Sequence, residues 1–423
     1  MEEAAACWGR DHNEILTALC LKIVGNSYGQ NCNYLLTVAI EKNVTNLQEL
    51  KDVVTLKKAE FSEAISLLVH NKIIQTEPFQ INFQQIFNIL LYSHFTEFAL
   101  SFAPIPQDKE IINLVMKKVF DEQTLTAQKL ANSIATKNPE INNSRLLFVI
   151  EHLASINVLF ADEQGCLSFN VGYFFMKQRL FALESLVQYN DHRVIEVVRA
   201  LFSPELFFGT LLNKENAEFN VEEVTPMIAS ITGITPKEIN GIYGILRSKE
   251  YSIISQNEWV LTPALAIRNF KIKKIAQLLS EIGYPLARRV LNLLLKREHL
   301  ETSMLCELCL LPSGQKLLEK LRFLGVLFYD QLQDAPHTKL KKHFLVWRID
   351  FDHAIANSSG YLLGLLAKLY IDLNDELVRS KETNESYTES LVQNHKKILN
   401  ERLTILHNTI MAASRKYIEI HEL

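Results

Sequence analysis

The sequence is poor in the two residues that most often make turns, since it contains only 14 Gly and 11 Pro in 423 residues. A β-sandwich or barrel, with a turn about every ten residues, needs more of both. Leu and Ile dominate the apolar residues, and charged residues make up 22% of the chain. This composition favours a globular, mainly helical protein, and the length predicts about three or four domains.

The chain also lacks the features of secreted and membrane proteins. Its six cysteines are scattered and form no disulfide framework, which predicts a reducing compartment. The first residues are acidic and contain no apolar core, so they do not form a signal peptide. The longest apolar stretch, Tyr361 to Leu373, is interrupted by Lys368 and Asp372 and is too short to span a bilayer. We expect a soluble intracellular protein that does not bind a membrane.

Catalytic and metal-binding motifs are missing as well. The segment PSGQK around Gly314 lacks the flanking Gly and Ser/Thr of a phosphate-binding loop, and neither GxSxG nor HExxH occurs. Cys306 and Cys309 form a CxxC without the second pair that a zinc ribbon needs, so buried thiols are expected there. The sequence predicts no catalytic residue, cofactor or metal. An enzyme without a known motif is the remaining alternative.

A repeated pattern is the main positive feature of the chain. Four segments join the end of a leucine-rich helix, a polar break and a short β-rich run: SLLVHNKIIQ from Ser66, EHLASINVLF from Glu151, YGILRSKEYSII from Tyr243 and EKLRFLGVLFY from Glu319. Aligning them puts four leucines in register, 75 to 93 residues apart: Leu68, Leu153, Leu246 and Leu321. This spacing is too long for a solenoid and suits a small domain used four times.

Each repeat predicts three helices followed by a β-hairpin. A short helix, a polar turn and a longer amphipathic helix precede each break, and a further helix is expected upstream, around Tyr34–Lys42, Glu110–Phe120, Val194–Phe202 and Leu286–Lys296. Two short strands follow each break, for example Tyr251–Ser255 and Trp259–Thr262. Three helices and a hairpin are typical of a winged helix. The alternative is an ordinary helical protein in which the leucines align by chance.

The C-terminal part of the chain has a different pattern. Apolar residues at a spacing of three and four predict two long helices, separated by the polar stretch KETNESYT. We interpret them as an antiparallel coiled-coil hairpin whose seam is formed by Leu366, Leu369, Leu373, Leu399, Leu403, Leu406 and Ile410. In the alternative, both helices simply pack on the last winged helix.

The predicted fold is therefore mostly α with small β wings: four tandem winged-helix domains followed by a C-terminal antiparallel coiled-coil hairpin. The predicted winged helices span residues 1–86, 87–172, 173–264 and 265–352, and the hairpin spans residues 353–423.

Charge is distributed unevenly along this plan. From Arg268 to Arg348 the chain has fifteen Lys and Arg against seven Asp and Glu, a net charge of +8, so that the remainder carries −12. A basic winged helix can neutralise nucleic-acid phosphates or dock on an acidic protein surface. A solvated surface without a partner is the third possibility. The nucleic-acid-facing or docking candidates are Lys271, Lys273, Lys274, Arg288, Arg289, Lys339, Lys341, Lys342 and Arg348.

Several segments resemble a known protein family. They are LLVHNKII at Leu67–Ile74, NILLYSHFTEFA at Asn88–Ala99, IINLVMKKVFDEQTLTA at Ile111–Ala127 and FLVWRID at Phe344–Asp350. With the order of domains, they resemble the third-largest, peripheral winged-helix subunit of DNA-directed RNA polymerase III, which is related to the alpha chain of general transcription factor IIE. The resemblance covers essentially the whole chain, and its motifs are structural and not catalytic.

The resemblance implies a non-catalytic, nuclear, DNA-binding subunit that takes part in transcription initiation. It would form a heterotrimer with two other polymerase-III-specific subunits on the clamp of the largest subunit. There it would support recruitment by transcription factor IIIB and the opening of promoter DNA at transfer RNA, 5S and other small RNA genes. The alternative function is a protein-interaction scaffold of winged-helix and helical repeats outside transcription.

Overall fold

The computed structural model describes residues 12–122, 125–188, 190–203, 216–311, 314–333, 343–383 and 389–423. These residues are mostly helical and carry small antiparallel sheets, which confirms the fold class at that level.

The first half of the chain contains two successive sets of helices, each followed by two strands. The first set comprises α1 (His12–Tyr28), α2 (Gln30–Glu41), α3 (Leu47–Val53), α4 (Lys58–His70), β1 (Ile74–Thr76) and β2 (Phe79–Ile81). The second set comprises α5 (Phe83–Leu100), α6 (Asp108–Asp121), α7 (Ala127–Lys137), α8 (Asn143–Ser155), β3 (Leu159–Ala161) and β4 (Leu167–Phe169).

The second half repeats this order and ends in two long helices. The third set comprises α9 (Val171–Leu186), α10 (His192–Leu201), β5 (Ala217–Glu218), α11 (Val221–Thr232), α12 (Pro236–Leu246) and β6 (Val260–Leu261). The fourth set comprises α13 (Pro263–Glu281), α14 (Ala287–Arg297), β7 (Leu300–Glu301), α15 (Thr302–Leu308), α16 (Gly314–Phe323), β8 (Leu327–Gln333) and β9 (His343–Ile349). Then follow α17 (Phe351–Thr383), α18 (Glu389–Tyr417) and a π-helical turn, Ile418–Glu422.

The same kind of backbone hydrogen bond follows the last helix of each set, which is α4, α8, α12 or α16. The aligned leucines Leu68, Leu153, Leu246 and Leu321 are fully buried. The carbonyl oxygen of each accepts a backbone hydrogen bond from a fully buried β-branched residue, at 2.9 Å from Ile73, 2.9 Å from Val158, 3.1 Å from Ile253 and 2.9 Å from Val326. The end of each of these helices is therefore tied to the start of the following extended segment.

A left-handed residue directly before the β-branched residue makes this closure possible. The residues and their φ angles are Lys72 (56°), Asn157 (62°), Ser252 (48°) and Gly325 (69°). A single left-handed residue commonly ends a helix because it turns the chain and satisfies the last carbonyl groups. In the first, second and fourth sets the left-handed residue lies four residues after the leucine, and in the third set Ser252 lies six residues after Leu246. Four different side chains therefore occupy the left-handed position.

A second backbone hydrogen bond, after the last strand, is also common to the four sets. The backbone N–H that follows the last strand donates to the carbonyl of the same β-branched residue, at 2.8 Å from Asn82, 2.9 Å from Asn170, 2.9 Å from Thr262 and 3.0 Å from Asp350. The next residue begins α5, α9, α13 or α17. The side chains of Asn82, Asn170 and Asp350 accept hydrogen bonds from backbone N–H groups of the first turn, which caps the new helix.

In the second, third and fourth sets, a residue shortly before the third helix (α7, α11 or α15) pairs with the last strand or with the residue next to it. Thr126 bridges Cys166, Ala217 pairs with Leu261, and Leu300 pairs with Trp347. In the fourth set this gives a three-stranded sheet of order β7–β9–β8.

The third hairpin is shorter than the sequence predicts. The stretch Tyr251–Ser255 forms a turn with a single bridge, between Ile254 and Leu261, and β6 takes β5 as its strand partner. The expected strand is lost because a turn uses its backbone groups: the N–H groups of Tyr251 and Ser252 both donate to the Ser248 carbonyl, at 3.0 and 2.8 Å.

The chain divides into two compact units. One contains Phe175–Leu362 and Lys416–Leu423, and the other contains Asn13–Phe174 and Leu363–Arg415. The five predicted domain ranges are a finer division, and their boundaries stay a prediction.

In the unit that contains Asn13–Phe174, distant parts of the sequence meet through α5 and α18. The buried His94 ring Nε2 lies 2.7 Å from the Ser414 hydroxyl, and Arg415 pairs with Glu97 at 2.8 Å. Burial, together with the charge of Arg415, lowers the pKa of His94 to about 4. The histidine therefore stays neutral inside the folded unit.

This burial predicts a loss of stability in mild acid. His94 has an ordinary pKa of 6.5 in the unfolded chain and about 4 in the folded chain, so the unfolded state binds more protons between these pH values. The free energy of unfolding should fall as the pH drops below 6.5, by about 2 kcal/mol at pH 5 from this residue alone. Denaturant unfolding at pH 7 and pH 5 measures the change, and His94→Gln should reduce it by that amount.

The control for this measurement is His70→Gln, which removes an exposed histidine. It should leave the acid sensitivity unchanged. Equal pH dependence in the natural chain and in His94→Gln would show that His94 does not cause it.

Candidate nucleic-acid interface

The fourth set of elements is built around one buried tryptophan. Trp347 on β9 is fully buried, and its indole Nε1 donates to the Thr302 hydroxyl at 2.9 Å. The Thr302 hydroxyl in turn donates to the Leu345 carbonyl at 3.2 Å. Because Thr302 begins α15, these two bonds fix the start of that helix to the sheet.

The helix α16 crosses α15 at a glycine. Gly314 is buried, and an added Cβ would overlap with the Cys306 sulfur and lie 3.0 Å from the Cβ atoms of both Cys306 and Leu311. Leu318 and Leu321 are fully buried on the inner side of α16. The close approach at Gly314 therefore sets which side of α16 faces outward.

The outward side of α16 is basic. Lys316 and Lys320, four residues apart, are exposed and form no ion pair with any side chain that the structure describes. Arg322 is also exposed but pairs with Glu319 at 3.2 Å. Residues four apart on a helix lie on one face, so the two lysines can approach the same anionic strand.

Two further exposed cations begin α14. Arg288 and Arg289 lie in its first turn, and no carboxylate among the described residues pairs with either. Positive charge at a helix N-terminus is unfavourable for the helix itself, because it adds to the positive end of the helix dipole. Their position therefore has no stabilising role within the chain, whereas an external anion would favour it.

The three predicted lysines of α13 are used inside the protein. The ammonium of Lys271 donates to the His421 carbonyl, that of Lys273 pairs with Glu250, and that of Lys274 pairs with Glu419, each at 3.0 Å. All three side chains are half-buried. They hold the turn around Glu250 and the π-helical turn Ile418–Glu422 and do not form an open basic surface.

The pKa values agree with this internal role. Burial, with the like charge of Arg179, lowers the pKa of Lys271 to about 8, although Glu422 opposes the shift. Burial alone would raise the pKa of Glu250, but its hydrogen bonds and charge interactions with Lys273 and Lys296 hold that pKa below its ordinary value. Glu250 therefore stays ionised between two lysines.

The remaining predicted cations have different surroundings. Arg348 pairs with Asp330, and its guanidinium lies 4.5 Å from the centre of the Phe328 ring. Lys339, Lys341 and Lys342 lie outside the described residues. Of the predicted set, only Arg288 and Arg289 are thus described as exposed and without a carboxylate partner. Lys316 and Lys320 were missed, although their spacing on a predicted amphipathic helix was the signal that could have identified them.

The predicted seam residues of the C-terminal hairpin are buried or half-buried. Leu366, Leu369, Leu399 and Ile410 are buried, and Leu373, Leu403 and Leu406 are half-buried. An ion pair of 3.5 Å between Arg402 and Glu376 joins α18 to α17. The two helices therefore lie side by side at this level, and the coiled-coil register stays a prediction.

No protein-family model matches the chain, and a search of the curated proteins finds no significant match either. Within the described part of the chain, no helix is both long and apolar enough to cross a bilayer, and no three His, Cys, Asp or Glu side chains gather as metal ligands. The thiols of Cys306 and Cys309 have raised pKa values, mainly because both are partly or fully buried.

The crossing at Gly314 predicts a sharp sensitivity to a single methyl group. Gly314→Ala should lower the free energy of unfolding by about 1–3 kcal/mol, because α15 and α16 must move apart. Gly241→Ala is the matched control, since Gly241 lies in α12 with open space around it, and it should stabilise by roughly 0.5–1 kcal/mol. Denaturant unfolding measures both changes. If the two variants are equally stable, α16 is not held at Gly314.

Proposed function

We propose that the chain is a non-catalytic winged-helix subunit of RNA polymerase III that binds nucleic acid through its fourth winged helix. The observation that supports this proposal is a backbone closure found in all four sets: a buried leucine carbonyl receives the N–H of a buried β-branched residue that follows a left-handed residue. Chance alignment of leucines does not account for it. In three of the four sets a side chain also caps the next helix. The additional pairing with the last strand in three of the sets supports the proposal, because a winged helix would have a small antiparallel sheet at this place.

The proposed place of the subunit follows from the family resemblance in the sequence. It would form a heterotrimer with two other polymerase-III-specific subunits, and this heterotrimer would lie on the clamp of the largest subunit in the nucleus. It would support recruitment by transcription factor IIIB and promoter opening. The C-terminal helices would form the coiled-coil hairpin of such a subunit.

The nucleic-acid surface that we propose consists of Arg288, Arg289, Lys316 and Lys320. All four cations are exposed, and none has a carboxylate partner among the described residues. Lysine and exposed arginine side chains of this kind contact phosphates more readily than they read base edges. Binding is therefore expected to depend on salt and to show little sequence preference.

Charge reversal tests this surface. Lys316→Glu combined with Lys320→Glu should weaken binding of a DNA duplex with an opened centre by at least about tenfold at 100 mM salt. It should also lower the slope of log affinity against log salt by about 2, one for each phosphate contact. Fluorescence anisotropy across a salt series measures both quantities.

The matched control is Lys129→Glu combined with Lys137→Glu, which reverses two exposed lysines on α7. It should leave the affinity nearly unchanged. An equal loss in the control would mean that nucleic acid is not bound at the fourth set. If the Lys316 and Lys320 variant also fails to co-purify with the polymerase, the basic surface docks protein and the nucleic-acid assignment is wrong.

The identity of the assembly has its own test. The tagged chain, purified under native conditions from its source cell, should bring down the largest subunit of RNA polymerase III and its other specific subunits, identified by mass spectrometry. Recovery of a different assembly without polymerase subunits would favour the scaffold function instead.

A further inference from the structure

The two C-terminal helices form a groove on one side of their pairing. A cavity of about 320 Å³ lies between them, lined by Asp372, Asp375, Glu376, Arg379, Arg402, Ile405 and Leu406. All of these residues belong to the unit that contains Leu363–Arg415.

An apolar row follows this groove along α18. Ile405 is 64% exposed, and Ile398, seven residues earlier, is 50% exposed. Ala412, seven residues later, is exposed as well. Residues seven apart lie on one helix face, and this face is offset from the predicted seam through Leu399, Leu403, Leu406 and Ile410. The seam therefore does not explain why isoleucines recur here, next to solvent.

The charged side chains that border the groove differ in whether they form ion pairs. The Glu376 carboxylate pairs with both arginines of the groove, at 3.0 Å from Arg379 and 3.5 Å from Arg402. Asp372 and Asp375 are exposed, and no cation pairs with them among the side chains that the structure describes. The groove thus combines an apolar wall with two available carboxylates.

We propose that this groove binds one helix of a partner protein, with isoleucine or leucine every three or four residues and lysine or arginine on its flanks. A groove between two antiparallel helices accepts the side chains of a third helix as a helical bundle does. Ile398 and Ile405 would contact the apolar stripe of the partner, while Asp372 and Asp375 would pair with its basic flank. The inference goes beyond the proposed function, since it concerns a surface without nucleic-acid contact.

A second copy of the same groove is not the occupant that we propose. A two-fold contact with its axis near Asp372 and Asp375 would bring these carboxylates of both chains together, and like charges in contact are repulsive. A partner of opposite charge removes this conflict and offers the specificity that an exposed apolar row lacks.

Two designed helical peptides of about three heptads test the proposal. They share one leucine and isoleucine stripe and differ only in flanking residues, lysine in one peptide and glutamate in the other. With the full chain, fluorescence anisotropy should show the lysine peptide binding at least about tenfold more tightly. Asp372→Lys combined with Asp375→Lys should reverse this preference, and Ile405→Ser should weaken both peptides.

Ile231→Ser is the control, because Ile231 is 50% exposed on α11, away from the hairpin helices in sequence. It should change neither affinity, and circular dichroism should show all variants folded. Equal binding of the two peptides, or a preference that survives the double lysine variant, would overturn the proposal. So would sedimentation showing a dimer of the natural chain that Ile405→Ser abolishes. These assays contain no nucleic acid and no polymerase, so their failure leaves the proposed function untouched.

Discussion

The rest of the structure depends on how the fourth helix of each set ends. In all four sets a buried leucine carbonyl receives the N–H of a buried β-branched residue, whose own carbonyl receives the N–H that begins the next long helix. Two fully buried apolar side chains per closure supply about 3–6 kcal/mol of burial, enough to hold a left-handed residue that costs roughly 1–2 kcal/mol. One residue pair therefore fixes the strand directions and the start of the following helix.

Part of this could be predicted from the sequence, because it depends on local spacing. The three predicted helices of each set, and the leucines Leu68, Leu153, Leu246 and Leu321, follow from apolar periodicity and are found as expected. The long helix that begins each set (α1, α5, α9 or α13) was not predicted. The left-handed positions could not be predicted, since Lys72 and Ser252 have no preference for that conformation. Burial of the neighbouring β-branched residue, a tertiary effect, imposes it.

The candidate site was predicted less well, because the net charge of a segment does not show which of its lysines have partners inside the protein. Lys271 and Lys274 find their partners in His421 and Glu419, about 150 residues away in sequence, and Lys273 finds Glu250. A count of +8 over a segment does not distinguish such lysines from Lys316 and Lys320. The two groups differ in whether other residues cover the helix face that carries the lysines. For α13, the C-terminal residues Glu419 and His421 lie on that face.

This division of charge bears on both proposals. Whereas the α13 lysines are held within their own unit, the four proposed cations of α14 and α16 are exposed cations without a carboxylate partner in the described part of the fourth set. The arginines of the hairpin groove are likewise held by Glu376, which leaves Asp372 and Asp375 as its available charges. On the two proposals, a phosphate strand would be attracted to the first surface and repelled by the second, whereas a basic amphipathic helix would have the opposite preference. The two proposed ligands would therefore use different side chains, because the free charges of the two surfaces have opposite sign.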